Sequence, residues 1–275
     1  MTTPGRDGPD QGHRPHLLAD PVAGRTALVT GAGNGLGRAI AHALADGGAR
    51  VVLTGRRRDK LDTVAEEIDA RHPGATRVAT VDTASPESVA DLRDELADEL
   101  VTILVNNAGI AGPVASLWDI EPADWDEVFA INVRGIFLMC RAFLPPMIDR
   151  GSGEIVNLAS VSGKRPLARR TPYTASKMAV IGLTTTLAHE TGPLGIRVNT
   201  VSPGPVAGPR MARNFTQEAE RTGRTETEVE AEFVDRSALR RMVSEDEVAT
   251  AVLAVLGMPG LTGADIDLSG GMIAR

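Results

Sequence analysis

The sequence has little of several residue types on which protein chemistry often depends. It has one cysteine among 275 residues; Cys140 cannot form an internal disulfide and stands in an apolar run typical of core packing. The five histidines show no paired metal-ligand spacing, so no metal site is expected. We find no apolar run of the ~20 residues that a membrane span needs, and no signal peptide at the N-terminus. We therefore expect a cytoplasmic protein without a membrane partner.

The charge of the chain excludes another class of function. A formal net charge of −7 argues against a nucleic-acid partner, because nucleic-acid surfaces require clustered lysine and arginine. Residues 1–22 are rich in proline and glycine among scattered charges, which predicts a flexible tail. Residues 23–275 suffice for one large domain with a buried core.

A glycine-rich turn follows the first β-rich run directly. It spans Gly31–Gly37, and Leu36, Ile40 and Leu44 then repeat at helical spacing. Small residues let backbone amides approach a pyrophosphate, and the N-terminus of a helix attracts its charge. This strand–turn–helix context favours nucleotide binding over a purely structural turn.

Short strands alternate with amphipathic helices along the rest of the chain. Strands are predicted at about residues 25–30, 51–54, 76–81, 101–105, 154–159, 196–201 and 264–268, and the helices between them include 85–100, one long helix over 122–150, and 172–191. The alternation is typical of a parallel sheet covered on both faces. We predict an α/β fold, a single Rossmann-type doubly wound sheet of about seven strands that binds ligands at its carboxyl edge.

The end of the second predicted strand bears on the choice of dinucleotide. Where a carboxylate would bind the 2′-hydroxyl of an adenosine ribose, the chain has Gly55 and Arg56. A guanidinium can bind a 2′-phosphate as a planar fork. NADP(H) is therefore favoured and NAD(H) stays possible, although Arg56–Arg58 could also simply begin a solvated helix.

The only tyrosine of the chain, Tyr173, stands four residues before Lys177. On a helix this spacing places both side chains on one face, and a neighbouring cation lowers the pKa of a phenol. The pair could move a proton, although the same spacing occurs by chance in many helices. Asn132 stands in an apolar helical stretch, so it is either a structural hydrogen bonder or a residue that holds a water.

Several motifs, taken in order, resemble the short-chain dehydrogenase/reductase family over about residues 24–273. The matching motifs are Thr30-Gly31-x-x-x-Gly35-x-Gly37, Asp82, Asn106-Asn107-Ala108-Gly109, Asn132, Ser160, Tyr173-x-x-x-Lys177 and Pro203-Gly204-Pro205-Val206. The resemblance implies an NAD(P)-dependent oxidoreductase that transfers hydride between a nicotinamide cofactor and a ketone or secondary alcohol.

The resemblance also implies a role for each catalytic residue. Tyr173 would be the general acid or base. Lys177 would lower the pKa of Tyr173 and bind the nicotinamide ribose. Ser160 would hydrogen-bond the substrate oxygen, and Asn132 would hold a water beside Lys177.

Cofactor contacts, a lid and an assembly follow from the same resemblance. The implied cofactor-binding residues are Gly31, Asn34, Gly35, Leu36, Gly37, Arg56, Asp82, Thr83, Asn106, Ala108, Gly109, Tyr173, Lys177, Pro203, Gly204 and Val206. Residues 207–242 would form a mobile substrate lid. A homotetramer or a dimer is expected, since members of the family commonly form tetramers.

Alternatives remain at several points. A dinucleotide-binding sensor need not keep all four catalytic residues, whereas this chain has them. A 3-oxoacyl-carrier-protein reductase is less favoured, because Leu194 replaces an arginine of those enzymes. NADP(H)-using relatives often have a basic residue in place of Asn34. Arg165, Arg169 and Arg170 could bind an anionic substrate or form a solvated loop.

Overall fold

The computed structural model describes residues 21–273, and its strands form one parallel sheet. The strands are β1 Thr26–Thr30, β2 Arg50–Gly55, β3 Thr76–Thr80, β4 Val101–Asn106, β5 Gly153–Leu158, β6 Ile196–Pro203 and β7 Asp265–Leu268. Their spatial order is β3-β2-β1-β4-β5-β6-β7. The strand order reverses between β1 and β4, which is where open α/β sheets form their ligand crevice.

Helices cover both faces of the sheet, which confirms the predicted fold class. They are α1 Gly35–Asp46, α2 Arg58–Asp69, α3 Pro86–Glu95, α4 Pro122–Phe129, α5 Gly135–Arg150, α6 Thr171–Thr191, α7 Pro209–Thr222, α8 Glu226–Asp235 and α9 Glu245–Leu256. In β2, Val51 and Leu53 join the core under α1, α2 and α9, whereas Val52 joins the core under α3, α5 and α6. Consecutive strand residues face opposite layers, so both faces of the sheet are buried.

The predicted tail lies outside the described residues except for Pro21 and Val22. Val22 is buried in the core beside α1. A side-chain carbon on Gly47, just after α1, would come within 2.7 Å of it. The packed part of the chain therefore includes Val22, and flexibility of the preceding residues stays a prediction.

The long predicted helix over 122–150 is confirmed, with a π-helical segment at Ala130–Arg134 between α4 and α5. Within residues 21–273, this continuous helix is long and apolar enough to cross a membrane by length and composition. The expectation that no such segment exists is therefore wrong. Half of its most apolar stretch is buried in this structure, where Met139 and Met147 pack in the core. Packing on the sheet accounts for that apolar composition.

The helix predicted to reach about residue 100 ends earlier, because α3 stops at Glu95. Arg77 of β3 donates to the Glu95 carbonyl at 2.7 Å. Beyond the helix, Glu99 accepts from the guanidinium of Arg50 at 2.8 Å and from that of Arg77 at 3.2 Å. These contacts with β2 and β3 draw the chain out of the helix.

The segment 207–242, called the lid segment below, contains α7 and α8. Phe215 and Val229 are buried in a small core of their own, and the ring of Phe215 lies edge-on to that of Phe233 at 5.7 Å. Backbone pairing of Val206 with Val243 joins the two ends of the segment. The lid segment is thus a two-helix unit held to the sheet edge at both ends.

Candidate active site

The predicted catalytic pair lies where β5 meets the beginning of α6. Tyr173 and Lys177 are one turn apart on α6, and the Lys177 Nζ is 5.8 Å from the centroid of the tyrosine ring. Lys177 is 6% exposed. Its ammonium donates to the Leu158 carbonyl, the last of β5, at 2.8 Å. The end of a strand therefore fixes the ammonium beside the phenol.

The charges around Tyr173 suit proton transfer. Burial acts to raise the pKa of Tyr173, but the positive charges of Lys177 and Arg210, together with interactions with Ser160, hold it below its ordinary value. The pKa of Lys177 is lowered chiefly by burial, which the charge of an ionised Tyr173 partly offsets. Stabilising the phenolate in this way makes Tyr173 a more accessible base.

Ser160 stands two residues after the end of β5 and caps a short 3₁₀ segment, Val161–Gly163. Its Oγ accepts from the amide of Ser162 at 3.1 Å, which fixes the side chain while leaving its own proton free to be donated. Because Ser160 influences the pKa of Tyr173, the structure brings both predicted groups to one place. A substrate oxygen between them could accept from both.

An ion cluster fixes the loop that follows Ser160. The Lys164 ammonium binds Asp265 of β7 at 2.6 Å and also contacts Asp267, and the lysine side chain is only 6% exposed. Asp265 also accepts from the hydroxyl of Ser202 on β6 at 2.6 Å. This cluster therefore holds together the loop after Ser160, β6 and β7.

Asn132 is fully buried in the π-helical segment, and its side-chain hydrogen bonds are structural. Its Oδ1 accepts from the Ile110 amide at 2.8 Å, and its Nδ2 donates to the Ile110 carbonyl at 2.9 Å and to the Ser176 hydroxyl at 3.0 Å. Both donors of the amide are used. Of the two roles open from sequence, the contacts support the structural hydrogen bonder, and the water-holding role stays a prediction. Gly109 lies against this side chain, since a Cβ there would be 3.1 Å from Oδ1.

The glycine turn is closed by Asn107, which the predicted cofactor-binding set omits. Its Nδ2 donates to the Thr30 carbonyl at 2.9 Å and to the Gly31 carbonyl at 3.3 Å, while Gly31 has φ +68°. The Thr30 hydroxyl accepts from the amides of Asn107 and Ala108 at 2.9 and 3.0 Å. A Cβ on Gly37 would lie 2.2 Å from the Gly31 oxygen. The first turn of α1 thus packs on Gly31 so closely that no side chain fits between them.

The other predicted residues of this turn differ in their surroundings. Asn34 precedes α1 in an extended conformation, and its side chain makes no capping bond. Gly35 has φ +54°, and Leu36 is partly buried against the core. A Cβ on Gly35 would lie 3.6 Å from the carboxylate of Glu245 on α9. The open side of the turn is therefore bordered by a carboxylate that sequence reasoning missed.

A basic pair lies where an adenosine ribose is expected. Arg56 is exposed at the end of β2, and no hydrogen bond or salt bridge to it is found within residues 21–273. Lys60 of α2 runs beside the turn, since a Cβ on Gly33 would lie 3.0 Å from its Cβ. Arg58, by contrast, binds Asp62 at 2.8 Å on its own helix. Arg56 and Lys60 are therefore available cations here, as is the exposed Arg57, and Lys60 was not predicted.

Predicted residues at the ends of β3 and β4 divide between surface and core. Asp82 is exposed, and its carboxylate caps the amide of Ala84 at 3.0 Å, while Thr83 is buried against Gly135. The Asn106 side chain points into the core, where Nδ2 donates to Asn157 at 2.9 Å. That orientation removes the Asn106 side chain from any cofactor at the edge.

The single cysteine packs beside this buried amide. Cys140 is buried on α5, and Asn106 Nδ2 lies 3.5 Å from its sulfur. Burial raises the pKa of the thiol to about 12, against a smaller opposing effect of the Asn106 hydrogen bond. Cys140 is a core residue, as its apolar setting predicts.

The end of β6 supports the lid segment. Pro203 is the last residue of β6, and Gly204 crosses β7 so closely that a Cβ would lie 2.8 Å from the Ser269 Cα. The Gly204 amide donates to the Leu268 carbonyl at 2.8 Å. Val206 then pairs with Val243. The predicted Pro203–Val206 segment is therefore a rigid base from which α7 starts.

Two of the three arginines before Tyr173 bind loop carbonyls, and one of these two, Arg170, also contacts the lid segment. The Arg169 guanidinium donates to the Val114 carbonyl at 3.2 Å. Arg170 donates to the Gly112 carbonyl at 3.1 Å and to the side chain of Asn214 on α7 at 3.2 Å. The pKa of Arg165 is lowered by burial and, less strongly, by the charge of Arg236.

Comparison with known proteins places this geometry in a family. A family model described as short chain dehydrogenase matches residues 25–220. D-beta-hydroxybutyrate dehydrogenase of Rhizobium meliloti (strain 1021) is 32% identical over 257 residues, which cover 91% of this chain and 99% of the relative. Galactitol 2-dehydrogenase (L-tagatose-forming) of Cereibacter sphaeroides is 39% identical over 254 residues, or 90% of this chain and 94% of the relative.

A solved structure agrees with these sequence relatives. A single-residue variant of actinorhodin polyketide ketoreductase with NADPH superposes with a TM-score of 0.85 at 31% identity, over 90% of this chain and 97% of that one. The match of sequence and fold extends well beyond the residues of the active site. The chain therefore belongs to the short-chain dehydrogenase/reductase family, and it is an oxidoreductase of the kind that acts on alcohols and ketones.

Proposed function

We propose that Tyr173 is the general acid and base of an NADP(H)-preferring enzyme that interconverts a ketone and a secondary alcohol. The observation that carries this proposal is the phenol–ammonium pair: Lys177 lies 5.8 Å from the ring of Tyr173 and helps to keep the pKa of the phenol low. Few other roles in a protein favour a half-buried phenolate beside a buried ammonium.

The chemistry requires one proton and one hydride to move. In alcohol oxidation, the hydroxyl proton passes to the Tyr173 oxygen as the C–H bond breaks, and in ketone reduction the same oxygen returns a proton. The nicotinamide supplies the acceptor or donor of the hydride. Ser160 donates a hydrogen bond to the substrate oxygen, and Lys177 stabilises the phenolate.

The glycine turn, Asn107 and the basic pair form the proposed cofactor site. Gly37 lets the first turn of α1 pack closely on the glycine turn, because a Cβ there would lie 2.2 Å from the Gly31 carbonyl oxygen. Arg56 and Lys60 are the cations proposed to bind a 2′-phosphate, which supports NADP(H) over NAD(H). The predicted contacts of Asp82 with adenine and of Val206 with the nicotinamide amide belong to the same proposal.

Removal of the phenolic hydroxyl tests the catalytic role. We expect Tyr173→Phe to retain NADPH binding and to lose turnover of a ketone and alcohol panel by ~10²- to 10⁴-fold. Turnover equal to that of the parent would remove Tyr173 from the mechanism. Cofactor binding by the parent without turnover of any member would favour the sensor alternative.

Titrations with NADPH and with NADH test the proposed preference for NADP(H). Arg56→Ala and Lys60→Ala should each weaken NADPH binding by about tenfold or more while leaving NADH binding unchanged. Arg58→Ala is the matched control, because the guanidinium of Arg58 is already bound to Asp62. If the parent bound NADH more tightly than NADPH, and both variants kept that preference, the assignment of NADP(H) would be reversed.

A homo-oligomer, a tetramer or a dimer, is the proposed assembly. Phe137 on α5 and Met178 on α6 are 48% and 49% exposed, and an assembly through these two helices would cover both side chains. Light scattering of the purified protein measures the assembly directly. The cytoplasmic location stays a prediction from sequence.

A further inference from the structure

Two guanidinium groups approach the proposed catalytic tyrosine without an acidic partner. Arg210, in the first turn of α7, has its guanidinium carbon 5.9 Å from the centroid of the Tyr173 ring. Arg170 immediately precedes α6 and is half-buried. Within residues 21–273, no carboxylate lies within the 4.0 Å of a salt bridge from either group. Positive charge therefore accumulates beside Tyr173, and only the ionised phenol itself offsets part of it for Arg170.

The contacts of Arg170 fix its position but leave its charge unbalanced. Its guanidinium donates to the carbonyls of Ala111 and Gly112 at 3.4 and 3.1 Å and to the Asn214 side chain at 3.2 Å. All three acceptors are neutral. Burial, and then the charge of Arg210, hold the pKa of Arg170 below its usual value. A desolvated cation without a counter-ion is costly unless an anion joins it.

Within residues 21–273, neither Glu218 nor Glu245 forms a salt bridge with Arg170 or Arg210. Asn214 stands four residues after Arg210, on the same face of α7. The next residue along that face, Glu218, binds Arg221 at 2.9 Å. Glu245 of α9 borders Gly35 and Gly208, on the side of the glycine turn. The face between α7 and α6 thus presents two cations and an amide.

We infer that Arg170 and Arg210 bind an anionic group of the substrate, a carboxylate or a phosphate carried by the ketone or alcohol that reacts at Tyr173. This inference rests on the proposed function. Guanidinium groups match both anions with paired hydrogen bonds. The anionic group is unchanged by the reaction, since the proton and hydride leave only the carbinol oxygen and carbon.

The location of Arg210 links recognition to the lid segment. Arg210 and Asn214 belong to α7, whereas Arg170 belongs to the loop that leads into α6. An anion bound by both arginines would hold α7 against the proposed catalytic residues, so substrate binding would also exclude water. A neutral substrate of equal size lacks this effect.

Matched pairs of probes test the inference. We would assay D-β-hydroxybutyrate against its amide and sorbitol 6-phosphate against sorbitol, using the full chain with NADP⁺. The variants are Arg210→Gln and Arg170→Lys. Arg213→Gln is the control, because it removes the same charge three residues further along α7. Calorimetry measures probe binding, kcat/KM measures turnover, and thermal unfolding checks that each variant is folded.

We expect the parent to bind at least one anionic probe in preference to its neutral partner. Arg210→Gln should reduce that preference by about 10- to 100-fold, Arg170→Lys should reduce it less, and Arg213→Gln should leave it unchanged. Preference for a carboxylate or for a phosphate identifies the source of the anion.

Three results of the binding measurements would overturn the inference. They are equal binding of anionic and neutral probes by the parent, an unchanged preference in Arg210→Gln, and weaker NADP⁺ binding in Arg210→Gln as its only effect, which would assign the arginine to the cofactor pyrophosphate. Turnover of neutral substrates alone would refute the anion site and leave the proposed function intact. If Tyr173→Phe kept full turnover while the two arginines still bound the anionic probes, the proposed function would be refuted and the anion site would stand.

Discussion

The close packing of α1 on the end of β1 predicts that Gly37→Ala destabilises the protein. A methyl group at this position would lie 2.2 Å from the Gly31 carbonyl oxygen and 2.6 Å from Asn107 Nδ2. A contact normally needs more than 3 Å, and the obstructing oxygen belongs to backbone, so no side-chain rotation relieves it. The helix or the glycine turn must move by about 1 Å, a displacement of the kind that costs ~1–3 kcal/mol in packed interiors.

An opposing effect must be subtracted from that cost. Alanine is favoured over glycine within a helix by about 1 kcal/mol. Gly182 on α6 isolates this effect, because a Cβ there would have no neighbour within 4 Å. We therefore expect Gly182→Ala to gain up to about 1 kcal/mol, and Gly37→Ala to lose up to about 2 kcal/mol in total and to bind NADPH more weakly.

Thermal unfolding and cofactor titration measure the two consequences. For a domain of this size, 1 kcal/mol corresponds to roughly 2–4 °C in Tm. The two variants should therefore move Tm in opposite directions, and only Gly37→Ala should change the Kd for NADPH. If Gly37→Ala matched Gly182→Ala in both measurements, the proposed close approach of α1 and the turn would be wrong.

Three further perturbations have defined outcomes. Lys177→Met removes the positive charge that lowers the pKa of Tyr173, so the rising limb of kcat/KM for alcohol oxidation should move to higher pH, and an unmoved limb would count against the pair. Asn132→Ala leaves the partly buried amide and carbonyl groups of Ile110 without these partners and should cost about 1–3 kcal/mol in urea unfolding; a loss below about 0.5 kcal/mol would contradict the structural role. Lys164→Met leaves two aspartates of β7 uncompensated and should cost about 3–5 kcal/mol, which an unchanged urea midpoint would rule out.

The order of the elements could be predicted because it depends on local pattern. Alternating strands and helices specify a doubly wound sheet, and parallel strands necessarily bring their carboxyl ends to one edge. Tyr173 and Lys177 share a face of α6 through helix periodicity alone. Family motifs were needed to assign chemistry to that spacing.

Features that depend on tertiary contact were not predictable from the sequence. The early end of α3 results from arginines on two strands, far away in sequence. Asn106 and Asn107 are adjacent and chemically identical, yet one bonds in the core and the other closes the glycine turn, because successive residues at a strand end face opposite ways. Lys60 and Arg210 approach the site only after the chain folds, and no local pattern marks either one.

Because Cys140 is buried, a fluorescent label can be attached to this protein at one chosen position. A thiol with a pKa near 12 in a closed core reacts negligibly with maleimides at neutral pH, because the thiolate is the reactive form. A cysteine introduced on the exposed surface of α7 would then be the one reactive thiol of the chain. A fluorophore attached there would report the distance from α7 to a labelled ligand without removal of the native cysteine, so any movement of the lid segment could be followed.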